Sequence, residues 1–315
     1  MKKNPKIIKE TIREMGGTIE EILPERGCFY FTLNGKRVLV TRKFAISRDP
    51  ISNSRVAKFK DLTYLLLKEN NLPTPKTICF YERNFNLEDA KKSLEGLNFP
   101  IVVKDAQGSN SKGVFTNIAT NKEALELIQK EFKNYKSIIA QEMVFGKEFR
   151  LLVLENRIIG ALEMIPPRIT GDGISTIGAL IEKKQKETEK RTKFDESLSE
   201  ILNEQGFSLD SVPEEGVVVK IKKNSALAEG GETSDFTDKI NTKIEEICVK
   251  AARVMGKYLV GIDVICEDIS KDPSEQTFSI LELNAKPDLY IHYNPTHGET
   301  KNVIKEIVNF IIKIA

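Results

Sequence analysis

No tryptophan occurs in the 315 residues, and histidine occurs only twice, at His292 and His297. So few histidines leave little material for a His-based metal centre or a Ser-His-Asp triad. The four cysteines, Cys28, Cys79, Cys248 and Cys266, stand far apart with no C-x-x-C spacing. That spacing argues against a zinc knuckle and against a disulfide framework. Reduced thiols in the cytoplasm are the simplest expectation, with Cys248 and Cys266 in apolar patterns that predict core positions. No apolar stretch follows Met1-Lys2-Lys3-Asn4-Pro5, and no run is long enough to span a bilayer. Neither a signal peptide nor membrane association is therefore expected. An excess of one charge is also missing: Lys+Arg number 48 against Asp+Glu 46, a formal net charge of +2. With no basic run interleaved with aromatics, no nucleic-acid partner is expected. There is no internal repeat and no low-complexity tract.

What is present is a chain 40% hydrophobic and 30% charged, long enough for two domains or one large α/β unit with a small partner. The pattern predicts a helix over residues 6–15 and strands near 17–22, 28–33 and 36–41. Asn34-Gly35 turns the last two into a hairpin. Residues 1–55 thus read as a small α/β cap, with the polar stretch 43–56 as linker. Helical spacing returns over 57–70 (Phe59, Leu62, Leu66, Leu67) and stops before Leu72-Pro73-Thr74-Pro75. A strand over 99–104, a second from 113, a helix to about 135 capped by Asn121, and a strand over 137–143 follow. Next come a hairpin of 148–154 with 157–165 and a highly charged helical stretch, 175–206, expected as an exposed insertion. A strand over 217–223, a polar loop over 226–238, a helix over 241–255 and a closing amphipathic helix over 302–314 complete the chain.

The chemistry concentrates in two apolar, β-branched runs near the C-terminus, Val260-Gly-Ile-Asp263-Val-Ile265 and Phe278-Ser-Ile-Leu-Glu282-Leu-Asn284. Residues two apart in a strand share a face, so Glu282 and Asn284 point the same way, and Asp263 can pair beside them. A buried carboxylate needs a partner or a cation. Two carboxylates with an amide oxygen make a hard oxygen cluster suited to Mg²⁺ against phosphates; a salt bridge to a nearby Lys or Arg is the competing reading. The loop Gly108-Ser109-Asn110-Ser111-Lys112-Gly113 has the composition of an anion nest, or of an ordinary Gly-Ser hairpin loop. It is not a Walker A loop, since Gly113 is followed by Val114. Lys104 ends a buried Ile-Val-Val strand just before it, placed either to hold a phosphate or to snorkel to water.

Taken in order, these segments resemble the ATP-grasp carboxylate–amine ligases from about residue 56 onward. The pieces are Phe99-Pro-Ile-Val-Val-Lys104, 108–113, Gln141-Glu-Met-Val-Phe-Gly-Lys-Glu-Phe-Arg150, Gly171-Asp-Gly-Ile-Ser-Thr-Ile177, Gly261-Ile-Asp263 and Leu281-Glu-Leu-Asn284. Gly230-Gly-Glu-Thr-Ser-Asp-Phe-Thr-Asp238, and Asn284-Ala-Lys-Pro287 through His292 and Gly298, narrow the likeness. They point to the ATP-grasp module of bifunctional glutathione synthetases and cyanophycin synthetases. The resemblance implies an α/β (α+β) ATP-grasp fold with a reduced N-terminal cap. The ATP-grasp domain would span 56–315, with a lid subdomain over about 75–143 and a metal and substrate subdomain over about 144–315.

By position, the resemblance also implies roles. Lys60 and Lys104 look like the nucleotide lysines, and Gly108, Ser109, Asn110, Ser111 and Gly113 like the lid over the phosphates. Gln141, Glu142, Met143 and Val144 look like the hinge strand along the adenine, with Glu148 as the ribose carboxylate. Asp263, Glu282 and Asn284 look like the ligands of Mg²⁺, with Mn²⁺ as an alternative. Arg150 and Lys222 look like catalytic cations.

The departures fall where substrate should sit. Lys222 stands where relatives carry an arginine, which keeps the charge but loses the fork. Met164 replaces another arginine, with Arg168 four residues on, and Ala226, Ala228, Lys286 and Asp288 also differ from the relatives' pattern. The expected activity is cytoplasmic, ATP-dependent joining of an amino acid or short peptide to an amine, releasing ADP and phosphate. Glutathione synthesis, modification of a peptide or protein, and a non-catalytic nucleotide-binding module are the alternatives. A homodimer is expected from the resemblance alone. Neither a glutamate–cysteine ligase module nor a Mur-type module is recognised, so neither bifunctional relative is expected.

Overall fold

The computed structural model describes residues 3–41, 56–108, 113–188 and 192–315. They form two compact units: residues 1–162, 235–294 and 299–315 make the first, and 163–234 with 295–298 the second.

In the first unit, helix α1 (Lys3–Glu14) presents Ile7, Ile8 and Ile12 on one face. It packs beside the antiparallel sheet β1 (Thr18–Leu23), β2 (Cys28–Leu33) and β3 (Lys36–Thr41). Asn34 and Gly35 both adopt positive φ, 50° and 74°, as a two-residue hairpin turn whose twist matches its strands requires. These residues share one core with the closing helix, which the structure places at Val303–Ile314. The boundary expected near residue 55 lies outside the described residues, as does most of the expected linker.

Helix α2 (Lys60–Glu69) then leads into a four-stranded sheet of β4 (Thr77–Tyr81), β5 (Ile101–Asp105), β6 (Val114–Ile118) and β7 (Ser137–Glu142), in the order β4-β7-β5-β6. Helices α3 (Leu87–Leu94) and α4 (Asn121–Glu131) cover it, burying Leu94, Ala124 and Ile128. The α4 cap is Thr120 rather than Asn121. Thr120 accepts from the Glu123 N–H, and Glu123 reaches back to the Thr120 N–H. That reciprocal box satisfies two orphan donors where a lone Asn would satisfy one.

The larger sheet holds β8 (Lys147–Leu154), β9 (Arg157–Ile165), β13 (Leu259–Cys266) and β14 (Phe278–Asn284), in the order β9-β8-β13-β14. Its strands are near-continuous apolar runs because both faces are buried. Phe149, Leu151, Val153, Val260, Ile262 and Val264 pack against helix Thr242–Val254 and Leu67 of α2, while Leu152, Leu154 and Leu259 join the N-terminal core. Cys248 and Cys266 are fully buried.

The second unit overturns the expectation for 175–206. The remaining helices in chain order, α5 (Ile177–Thr188) and α6 (Glu196–Glu204), bury Ile177, Leu180, Ile181, Leu198 and Leu202. Their partners are Ile169 of β10 (Arg168–Thr170) and Val219 of β11 (Val218–Lys220). Apart from the half-buried Lys184, the charges lie on the outer faces; the inner faces are the core of the unit. The strand predicted over 217–223 is short, and the predicted loop contains strand β12 (Glu232–Asp235). Among the described residues no helix is long and apolar enough to cross a membrane.

Candidate active site

The site is built on the larger sheet by one irregularity. Asp263 lies opposite both Glu282 on β14 and Arg150 on β8, but Val264 lies opposite Ile280, so Leu281 is an extra residue in β14. Such a bulge shifts the two-residue alternation. Phe278, Ile280 and Leu283 go to the core, and Glu282 and Asn284 turn to the other face, with Asp263 and Arg150. The sharing of a face by Glu282 and Asn284 was legible in the sequence. The bulge that re-aims them was not.

Asp263 is almost fully buried and is gripped by Arg150 through two parallel bonds, Nε to Oδ1 at 2.7 Å and Nη2 to Oδ2 at 2.8 Å. Bidentate pairs of this kind fix orientation as well as charge. Asn284 Nδ2 donates to Asp263 Oδ2 at 3.1 Å. The salt bridge expected as the competing reading is therefore present, on one of the two carboxylates. Burial, then the neighbouring Asp263, hold the Glu282 carboxyl above the usual carboxylate range. Lys60 Nζ stands 3.8 Å from Glu282 Oε2 and also donates to the Gly108 carbonyl.

Lys104 is buried, and its Nζ donates to Gln141 Oε1 at 2.8 Å. Gln141 Nε2 in turn donates to Thr77 Oγ1 at 2.8 Å, and Thr77 Oγ1 to the Pro75 carbonyl at 2.9 Å. This relay runs between residues far apart in sequence, and no local motif signals Thr77. Its amide gives Lys104 no counter-charge, and burial lowers the ammonium to about 8 against an ordinary 10.5. Snorkelling to water is thus excluded.

At the end of β7, the Glu142 N–H bonds the Lys76 carbonyl at 2.9 Å, and the Met143 N–H the Pro100 carbonyl at 3.3 Å. The Val144 N–H has no partner among the described residues. The Glu142 carboxylate accepts from the Asn98 backbone and side chain, both at 2.9 Å. Glu148 is half-buried on β8, close enough for its charge to help raise Arg150. Gly113 adopts φ +67°, and a Cβ there would meet the Tyr135 ring. Ser109, Asn110 and Ser111 lie outside the described residues. Lys222 belongs to the second unit, where it is hydrogen-bonded to Glu229. His292 is fully buried, neither ring nitrogen has a partner among the described residues, and burial followed by the Arg150 charge pushes it down to about 3.

No group of three or more His, Cys, Asp or Glu side chains among the described residues could hold a metal ion. Glu282 and Asp263 do meet the chemistry of a divalent cation as adjacent carboxylates with an amide beside them. Their number fits a cation that completes its shell with substrate oxygens.

The fold is the ATP-grasp fold, and the sequence is similar to proteins of the ATP-grasp ligase group. The family model described as "D-ala D-ala ligase C-terminus" matches residues 66–205. The bifunctional glutathione biosynthesis protein of Clostridium perfringens is 28% identical over 84% of this chain and 35% of its own length. The cyanophycin synthetase of Synechocystis is 29% identical over 84% of this chain and 31% of its own. The chain thus spans about a third of the curated relatives it matches. Among solved structures, a bifunctional glutathione synthetase from Pasteurella multocida superposes with a TM-score of 0.74 at 19% identity. That match covers 99% of this chain and 44% of that one.

Proposed function

We propose that this chain is an ATP- and Mg²⁺-dependent ligase. It joins the carboxylate of an amino acid or short peptide to an amine through an acylphosphate, releasing ADP and phosphate. One observation carries the reading. Two lysines, Lys60 at the start of α2 and Lys104 on β5, converge electrostatically on Glu282, beside the Asp263 carboxylate that Arg150 and Asn284 brace from the sheet. That is a site with cations for phosphate oxygens and carboxylates for a metal, and no activated nucleophile among the described residues. The relatives' names, a glutathione biosynthesis protein and cyanophycin synthetases, support the substrate class.

Lys60 and Lys104 hold phosphate oxygens as point charges. The Val144 N–H and the neighbouring Glu142 backbone face the adenine edge, with Gln141 and Met143 in the same strand end, and Glu148 takes the ribose. Gly108 and Gly113 border the loop that the reading assigns to the phosphates; an acylphosphate must be kept from water, which would otherwise hydrolyse it. Arg150 holds Asp263 in place. Asp263, Glu282 and Asn284 are the residues that would hold the metal, whose chemistry there would be neutralisation of phosphoryl charge. The chemistry itself needs positioning and charge neutralisation rather than a covalent intermediate on the protein.

The test is ADP release from Mg-ATP with amino acids and dipeptides, singly and in pairs, including γ-glutamylcysteine with glycine. ADP formed with a specific pair, and a product of the summed mass less one water, are expected. Glu282→Gln should abolish that turnover in a folded protein; near-normal turnover would remove Glu282 from the metal site.

A further inference from the structure

Within the second unit, one carboxylate is crowded by three groups able to carry positive charge. Glu232 Oε1 takes Lys184 Nζ at 2.6 Å; Glu232 Oε2 takes Arg168 Nη2 and Nε at 3.3 and 3.4 Å and lies 3.0 Å from His297 Nε2. The crowding more than offsets the desolvation of this largely buried group, which alone would raise it, and holds the carboxyl at about 2. A structural brace needs one counter-charge. Here two permanent cations face one carboxylate, which leaves a positive charge over, and His297 adds a second when protonated.

The donors are also incompletely spent. A guanidinium has five N–H donors in a planar fork. Arg168 uses only two, both on one oxygen and both near the long limit of a hydrogen bond. Its Nη1 has no acceptor among the described residues. Side-chain exposures of 35% for Arg168 and 49% for His297, against 17% for Glu232, place the acid inside and the donors outside. The frame is fixed independently of any ligand. Lys184 also donates to the Arg168 carbonyl at 2.6 Å. Thr233 and Thr296 exchange hydrogen bonds at 3.1 and 3.0 Å beside the His297 N–H, which reaches the Thr233 carbonyl at 2.8 Å.

We propose that Arg168, Lys184 and His297 form a carboxylate-binding site, preorganised by Glu232, that takes the free carboxylate of an amino acid or peptide. The group already seated among these donors is itself a carboxylate, so they are spaced for a planar, two-oxygen anion rather than a tetrahedral one. The inference deepens the ligase reading and rests on it, since it names the part of the substrate that the second unit recognises.

The test needs no known substrate. With two histidines in the chain, the His297 ring proton is assigned in one step from a His297→Gln variant and followed by NMR. Acetate, alanyl-alanine, alanyl-alanine amide, inorganic phosphate and chloride at matched ionic strength are the probes. A saturable shift with the two carboxylates and none with the amide or chloride is expected. Arg168→Gln should weaken it at least about tenfold, the loss of a charge-assisted bidentate contact. Arg168→Lys keeps the charge without the fork, should fall between, and decides the matter if the glutamine variant misfolds. No shift at tens of millimolar carboxylate, an equal shift with the amide, phosphate or chloride, or unchanged affinity in the Arg168 variants overturns the site. ATP binding by the same wild-type sample separates the two readings. A His297 response without ATP binding refutes the ligase and keeps the site, whereas ATP binding without the response refutes the site alone.

Discussion

Replacing Lys104 by methionine should make the ligand-free protein more stable while destroying its affinity for ATP. The ammonium is held at about 8 against an ordinary 10.5. At about 1.4 kcal/mol per pH unit, that is a penalty of about 3 kcal/mol for keeping the buried charge at neutral pH. Methionine fills a similar volume and removes the charge, but leaves Gln141 Oε1 without its donor, which costs about 1 kcal/mol. The net gain is about 2 kcal/mol. Its pH dependence has a definite sign. Below pH 8 the folded wild type carries the whole penalty. Between about 8 and 10.5 the folded lysine gives up its proton while the unfolded one keeps it, so wild-type stability rises with pH. The advantage of Lys104→Met must therefore shrink across that window. Urea unfolding of both proteins at pH 7, 8.5 and 10, with ATP affinity measured in parallel, supplies the comparison. A variant less stable than wild type at pH 7, or an advantage that stays constant to pH 10, would refute the reasoning.

Asp263→Asn breaks the Arg150 fork and strands a guanidinium in a site that buries it. It should cost about 3 kcal/mol in urea unfolding; a loss under about 1 kcal/mol would show that the pair is not a keystone of the sheet. Glu148→Ala should raise KM for ATP more than it lowers kcat, and the opposite split in steady-state kinetics would argue against a ribose contact. In the second unit, Glu232→Gln should cost about 2 kcal/mol at pH 7, less than the full shift implies because solvent screens these partly exposed pairs. The carboxyl sits at about 2 against 4.5, so that contribution is present above 4.5 and lost as pH falls through 2; equal stability of the two proteins at pH 7 would contradict it.

The sequence carried the fold because its informative positions are local. Hairpin turns at Asn34-Gly35 and Glu155-Asn156, apolar periodicity, and the ordered run of site segments each sit within a few residues of chain. What escaped reading depends on distant partners. The Leu281 bulge exists only because β14 pairs with β13. Thr77 matters only through Gln141. The apolar faces of α5 and α6 were hidden by the charges between them, since an average over 175–206 reports a polar stretch while the periodic positions Ile177, Leu180 and Ile181 are core. Asp263 illustrates the limit best: the strand pattern placed a carboxylate in an apolar run, but whether it met a cation or an arginine depended on which residue of β8 lay opposite, and that residue is Arg150.

These details point to a single electrostatic design. Asp263 is fully matched by Arg150, so the first carboxylate is neutralised within the sheet. Glu282 and Lys104 are not matched in the same way. Glu282 has Lys60 only at 3.8 Å, and Lys104 is tied to a neutral amide. Each is pushed toward its uncharged form, the acid upward and the base downward. A half-buried acid and a buried base could have relieved each other by pairing directly, yet the Thr77–Gln141 relay holds Lys104 to β7 instead. The arrangement keeps an acceptor for a cation and a donor for an anion separately available, at the expense of stability in the ligand-free protein. A metal-bound polyphosphate is the ligand that satisfies both at once, which is why Lys104→Met and Glu282→Gln should separate stability from ATP use rather than lose both together.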